Sequence, residues 1–225
     1  MNKELIKYLA KFVTEERWQL MNRIIADRTR YLTVVLEDIF QPHNASAVLR
    51  TCDCFGVQDI HIIENRNKYT INPDVALGAS KWLNLKKYNR NEENTVTCIN
   101  ELKAQGYRIV ATTPHNNDVD LEAFDLTKGK LALMFGSELP GLTDVALENA
   151  DEFLKIPMYG FTESFNISVS AAIVLHHLRW KLNQSGIKWQ LNETEKDEIL
   201  LNWLRQSIKR SEIVEKDFYK RKERS

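Results

Sequence analysis

A strand–helix–strand pattern in the first third of the chain constrains the fold most. Residues 32–36 and 57–63 are short apolar runs rich in β-branched residues, and residues 44–56 between them have helical spacing. Two strands joined through a helix run parallel. The pattern therefore predicts an α/β fold with a parallel sheet flanked by helices, in which Asn44 caps the connecting helix and Gly56 ends it.

Polar residues follow several predicted strands at the same edge of this sheet. Further strands are expected at residues 107–112, 131–135 and 152–156, and a long apolar helix at 166–182. Asn44, Thr112, Glu138 and Ser164 all come after strands, and a polar loop occupies residues 113–118. Because open parallel sheets bind ligands at the carboxyl ends of their strands, we expect a site at this edge.

Both ends of the chain are predicted to be helical. Residues 3–28 have the spacing of two short helices, with Thr14 as the cap of the second. Residues 194–197 resemble a capping box that starts a helix running through Ile208. From Arg205 onward there are eight basic residues and four acidic ones, although the whole chain is balanced at 31 Lys+Arg and 31 Asp+Glu. A basic surface is therefore expected locally, at the C-terminal end.

Several classes of protein are disfavoured by what the sequence lacks. The three cysteines and five histidines have no metal-ligand spacing, so we expect a reducing cytoplasm and no metal. We expect no signal peptide and no membrane association, because no apolar run is long enough to span a bilayer. The chain has 8 glycines and neither a G-x-G-x-x-G nor a GK[ST] motif, which disfavours a plain nucleotide-binding module.

Three ordered segments carry a family resemblance. Residues 42–57, 133–142 and 156–172 are similar to the three motifs of the SPOUT-type 2′-O-ribose RNA methyltransferases. The flanking helices and basic tail are similar to the TrmH type, the tRNA (guanosine 2′-O) methyltransferases. Phe165 stands where the family usually has Leu, and Ser137 with 139–140 varies its usual glycine-rich turn.

The resemblance implies a fold, a cofactor and partners. It implies a trefoil knot in the C-terminal part of the domain, S-adenosylmethionine as methyl donor, and a homodimer with the active site near the subunit interface. The implied reaction is 2′-O-methylation of tRNA at the D-loop guanosine, position 18. The expected domains are residues 1–30, a helical extension; 31–184, the methyltransferase domain; and 185–225, a basic helical extension.

The resemblance also implies site residues. The expected catalytic residues are Arg50, Glu138, Asn166, Ser164 and Asn44. The expected cofactor-binding residues are Thr112, Gly136, Ile156, Met158 and Phe165.

Chemistry suggests roles for some of these residues. A guanidinium stays protonated at neutral pH, so we favour Arg50 as a clamp on RNA phosphate over a deprotonated Arg50 acting as base. Glu138 is expected to anchor Arg50 or its neighbours by a charge-assisted hydrogen bond. Gly136 would let the cofactor approach the main chain, and Ile156 with Met158 would form an apolar bed for adenine.

Two alternatives share the same fold. The first is 2′-O-methylation of ribosomal RNA, although such relatives often carry a separate N-terminal RNA-binding domain. The second is a non-catalytic RNA-binding protein, which the presence of Arg50, Glu138 and Asn166 disfavours.

Overall fold

The chain forms two compact units. The computed structural model describes residues 2–90, 92–114, 119–138 and 140–223. Residues 29–189 form one unit, called here the central unit, and the segments before and after it form the other, called the terminal unit. The predicted methyltransferase domain lies within the central unit. Residues 115–118 of the predicted polar loop and Leu139 of the second motif lie outside the described residues.

A parallel sheet forms the middle of the central unit and confirms the predicted fold class. Every strand pair within the described residues is parallel, and the strand order is β3-β2-β1-β6-β4-β7-β5. The strands are β1 Leu32–Glu37, β2 Asp59–Ile63, β3 Asn84–Tyr88, β4 Arg108–Thr112, β5 Val119–Asp120, β6 Leu131–Phe135 and β7 Glu152–Lys155. The order changes direction between β1 and β6, which is where such sheets bind ligands.

Helices of the central unit cover both faces of its sheet. The α-helices of the two units are α1 Asn2–Leu9, α2 Glu15–Ala26, α3 Pro42–Cys54, α4 Pro73–Ala76, α5 Asn94–Ala104, α6 Asp144–Glu148, α7 Ile167–Gln184, α8 Glu193–Ser207 and α9 Ser211–Glu223. Successive side chains of β1 point to opposite faces. Leu32, Val34 and Leu36 share a core with α3 and α7, while Val35 lies in a second core with α5 and α6.

Helix α3 begins differently from the prediction. Gln41 occupies the N-cap and Pro42 the first helical turn, so Asn44 is not the cap. Proline suits this position because its missing N–H has no intrahelical partner there. The correction matters for function, since the Asn44 side chain is left to bond elsewhere.

Other helix boundaries are partly as predicted. Thr14 caps α2, as expected from the sequence. The capping box of α8 is made by Asn192 and Glu195, so the predicted box at residues 194–197 is wrong. Helix α9 was not predicted, because it has no buried residue and thus no clear apolar period.

The terminal unit joins the two ends of the chain. Helix α1 packs against α8 and α9. Tyr8 donates a 2.7 Å hydrogen bond to Asp217, and Lys222 pairs with Glu4. Part of the basic tail is thus committed to ion pairs within this unit. No described helix combines the length and the apolar character that crossing a membrane needs.

Candidate active site

Three polar side chains from distant parts of the sequence meet at the carboxyl edge of the sheet. Asn44 lies in the first turns of α3, Glu138 follows β6, and Asn166 precedes α7. The Nδ2 atoms of Asn44 and Asn166 lie 2.6 Å and 2.8 Å from Oε1 of Glu138. Asn166 Nδ2 also donates to Asn44 Oδ1 at 3.1 Å. The three predicted motifs are therefore connected by direct hydrogen bonds, one residue from each.

Both amides have fixed orientations. Asn166 caps α7, because its Oδ1 accepts from the backbone N–H of Ser168 at 2.9 Å and from the Ser168 hydroxyl at 2.6 Å. Asn44 is buried, and its Nδ2 also donates to Gln41 Oε1 at 3.2 Å. Since each Nδ2 has two protons, both amides are fully used as donors. Glu138 is held between two neutral, rigid partners.

The predicted pairing of Glu138 with Arg50 is not found. Within the described residues, Glu138 bonds to Asn44 and Asn166, and Arg50 is not among its partners. Arg50 lies on α3, six residues after Asn44, which places it about 9 Å further along the helix axis. Its side chain is exposed. Asn44, which lies on the same helix as Arg50, bonds to Glu138 in its place.

A cavity of about 690 Å³ opens beside these residues. It is lined by all five predicted cofactor-binding residues: Thr112, Gly136, Ile156, Met158 and Phe165. Glu138, Ser164 and Asn166 also line it, whereas Asn44 and Arg50 do not. The predicted cofactor residues are thus brought together in one place.

Sequence reasoning missed some of the cavity wall. Thr113, Leu142, Glu163 and Ser170 also line it. Glu163 could have been noticed as an acid immediately before Ser164 in the third motif. Leu142 had no such signal, because an apolar residue after a turn is equally expected in a core, and Leu142 is indeed part of one.

The structure gives a reason for glycine at position 136 beyond the cofactor approach, which stays a prediction. A Cβ on Gly136 would lie 2.1 Å from the carbonyl carbon of Gly141 and 2.2 Å from the nitrogen of Leu142. Ser137 and Gly141 exchange two backbone hydrogen bonds of 3.1 Å that close this turn. The missing side chain therefore makes room for the protein's own main chain, which folds back tightly beside the cavity.

Comparison with known proteins identifies the family. Residues 31–176 match the family described as SpoU rRNA Methylase. The chain is 46% identical over 210 residues to the tRNA (guanosine(18)-2′-O)-methyltransferase of Borreliella burgdorferi, covering 93% of this chain and 94% of that protein. The enzyme of the same name from Thermus thermophilus is 32% identical over 194 residues, covering 85% and 97%.

The fold comparison agrees with the sequence comparison. The crystal structure of the A. aeolicus TrmH/SpoU tRNA modifying enzyme superposes with a TM-score of 0.77 at 30% identity, covering 87% of this chain and 98% of that one. The match with the family spans the three motifs, whose residues Asn44, Glu138 and Asn166 meet in the structure. The resemblance predicted from the motifs is confirmed, and the chain belongs to the SpoU rRNA methylase family.

Proposed function

We propose that this chain is a tRNA (guanosine(18)-2′-O)-methyltransferase that uses S-adenosylmethionine. The observation that carries the proposal is the near full-length identity of 46% to a relative with that name. The connected Asn44, Glu138 and Asn166 support it, because one polar residue from each motif meets the others beside a cavity of small-molecule size.

The cavity suits S-adenosylmethionine in size and chemistry. Its volume of about 690 Å³ lies within the usual range for small-molecule pockets. Ile156, Met158 and Leu142 provide apolar contacts for an adenine ring. The Glu138 and Glu163 carboxylates also line it, and carboxylates suit the positive charge of a sulfonium and an α-amino group. Thr112 contributes its backbone, since its hydroxyl donates to the Met134 carbonyl at 2.7 Å.

The proposed reaction needs alignment more than acid or base strength. When bound, the cofactor supplies an electrophilic methyl group on a positively charged sulfur. The protein must hold a ribose 2′-hydroxyl in line with that methyl group and assist the loss of its proton. In the described residues both amides bond to Oε1 of Glu138, so we assign Oε2 the role of accepting a hydrogen bond from bound substrate or cofactor. Ser164 lies on the same wall and would orient the ribose.

Arg50 is proposed to act on the RNA rather than on Glu138. Its side chain is exposed on the helix that carries Asn44, and its guanidinium would clamp a phosphate with two parallel hydrogen bonds. The positive charge would also lower the pKa of the ribose hydroxyl. A deprotonated Arg50 acting as base is the alternative, and it requires a guanidinium to lose its proton near neutral pH.

A homodimer is part of the proposal. The segment between β7 and α7 lines the cavity and carries large apolar side chains in contact with solvent: Tyr159 and Phe161 are fully exposed, and Phe165 is 44% exposed. Because these large side chains are grouped in one segment, they favour a contact surface there. We expect sedimentation velocity to give a dimer for the wild-type chain and a shift toward monomer for Phe161→Ser.

The terminal unit is proposed to bind tRNA phosphates through its basic residues. We propose that residues 1–30 and 185–225 are helical extensions of a methyltransferase domain at 31–184. We also propose that the protein acts in the cytoplasm, where its tRNA substrate is found. The trefoil knot remains an implication of family membership.

Mass spectrometric mapping of 2′-O-methylation tests the proposed function. Unmodified tRNA and ribosomal RNA would be incubated separately with the protein and S-adenosylmethionine. We expect one new 2′-O-methyl group at guanosine 18 of tRNA. Modification of ribosomal RNA alone would favour the alternative substrate that the family's description mentions. Cofactor binding without any RNA methylation would contradict both substrates.

A further inference from the structure

A buried carboxylate next to the active site has no part in the function proposed so far. Glu37 is the last residue of β1, an interior strand of the sheet, and it is 1% exposed. Burying such a group is costly unless hydrogen bonds replace its hydration. Its Oε1 accepts from the hydroxyls of Thr95 at 2.6 Å and Thr143 at 2.9 Å, and its Oε2 accepts from the Thr143 backbone N–H at 2.9 Å. Two of these three bonds hold one residue, Thr143.

Thr143 marks the end of the loop that presents Glu138. The loop begins at Gly136, directly after β6, and returns through the Ser137–Gly141 turn. Thr143 then caps α6, where its hydroxyl accepts from the Ala146 N–H at 3.2 Å. The sheet fixes the start of this loop, and Glu37 fixes its end.

We propose that Glu37 is a positioning residue for the cofactor loop, which comprises residues 136–138 and 140–143 of the described chain. By holding Thr143, it fixes the loop backbone so that the Glu138 side chain reaches Asn44 and Asn166. The inference rests on the proposed function, because it assigns this loop to the binding of S-adenosylmethionine. Glu37 does not line the cavity, so it acts through the loop.

The bond to Thr95 offers a matched control. Thr95 belongs to α5, and its hydroxyl also accepts from Asn65 Nδ2 at 2.9 Å. Thr95→Val therefore removes one hydrogen bond from the same carboxylate but leaves both bonds to Thr143. A merely structural role of Glu37 would make the two substitutions alike, whereas a role in holding the loop separates them.

Hydrogen exchange of the cofactor-free protein is the first test. Glu37→Gln offers one acceptor oxygen in place of two, so in either amide orientation at least one donor loses its acceptor. We expect amide exchange in the peptide spanning 136–143 to accelerate about tenfold, as the loss of a hydrogen bond to a charged group implies. Glu37→Met, which cannot accept at this position, should accelerate it further. Thr95→Val should leave this peptide unchanged.

Calorimetric titration with S-adenosylmethionine is the second test, made well below the melting temperature of each variant. We expect the dissociation constant to rise about tenfold in Glu37→Gln and to stay within about twofold in Thr95→Val. Unchanged exchange and affinity in Glu37→Gln, or equal changes in both variants, would overturn the proposal. If the wild-type chain does not bind S-adenosylmethionine, the proposed function fails, and the exchange experiment still decides whether Glu37 holds the loop.

Discussion

At the scale of single residues, the choice of partner for Glu138 shapes the active site. Two amides, Asn44 and Asn166, satisfy Oε1 of this carboxylate without an opposite charge. An arginine bound to Glu138 would have had its positive charge partly neutralised and its side chain held in place. Arg50 is exposed and does not bond to Glu138, so its donors are available for the phosphate contact proposed above.

Substitution of Arg50 should separate methyl transfer from cofactor binding. We expect Arg50→Ala to reduce the rate of transfer to tRNA by about a hundredfold or more. The dissociation constant for S-adenosylmethionine should stay within about twofold, because Arg50 does not line the cavity. Arg50→Lys should also be poor, since a point charge cannot replace the planar fork. Normal turnover by Arg50→Ala in a single-turnover assay would remove Arg50 from the site.

A second residue, His61, should make stability depend on pH. Burial lowers the pKa of His61 from 6.5 to about 4, and Lys86 acts in the same direction, against Asp59 and Glu101. The imidazole of the unfolded chain therefore takes up a proton at a higher pH than the imidazole of the folded chain. The free energy of unfolding is then largest above about pH 6.5, and this contribution is lost as the pH falls toward 4. The difference corresponds to about 3 kcal/mol.

Urea unfolding at about pH 7 and about pH 4.5 measures this effect. The free energy of unfolding should fall more steeply for the wild-type chain than for His61→Gln, whose side chain does not titrate. Parallel pH dependences of the two proteins would show that His61 is not the group responsible.

At the scale of elements, a tight loop and a helix start together form one wall of the cavity. The loop after β6 folds back on Gly136, and the start of α7 presents Asn166 as its cap. Gly136 allows the loop to turn, and it lies two residues before Glu138. Asn166 caps α7, and it also bonds to Glu138. Local folding and the assembly of the site are therefore coupled.

Gly136→Ala should disrupt this wall. The new Cβ would meet backbone atoms of residues 141 and 142 that have no side-chain freedom to move away. We expect a loss of about 2 kcal/mol or more in the free energy of unfolding, together with weaker binding of S-adenosylmethionine. Gly186→Ala is the matched control, because a Cβ there has nothing within 4 Å. Equal stability and affinity of the two variants would contradict the proposed packing.

At the scale of the whole molecule, the balance of 31 basic and 31 acidic residues does not exclude a local basic surface. The central unit carries the site, and the terminal unit carries a helical surface with basic residues. Some of these are paired, as Arg205 is with Glu215, while Lys209, Lys216 and Lys220 are exposed. Deleting residues 206–225 would also remove the contacts of α9 with α1, so point substitutions are the cleaner test.

Replacing Lys209, Lys216 and Lys220 together by Ala should weaken tRNA binding. Each lysine that binds a phosphate releases a counterion, so the slope of log affinity against log salt should decrease by about 1 for each phosphate-binding lysine that is replaced. Fluorescence anisotropy with labelled tRNA at several salt concentrations measures the slope. The control replaces Lys103 and Lys128, which pair with Asp151 and Glu152 in the central unit. A slope equal to that of the wild-type protein would leave the tail without a role in RNA binding.

The sequence by itself determined the α/β class, the parallel sheet and the family. Residues 32–36 and 57–63 show this most directly, because apolar β-branched runs separated by a helix leave few ways to pack. The three motifs also identified every residue of the Asn44–Glu138–Asn166 cluster. These features depend on local periodicity or on residue identity, which a sequence displays.

Tertiary structure alone decided which side chains touch. Gln41 caps α3 in place of Asn44, Glu138 bonds to amides and not to Arg50, and the missing side chain of Gly136 makes room for Gly141. Glu37 received its role in the same way, from a residue 106 positions later in the chain. Such contacts depend on how loops far apart in sequence meet at the edge of the sheet. The sequence shows no pattern for such contacts, because each of these residue types is equally expected in a local role such as a helix cap, a turn or a surface position.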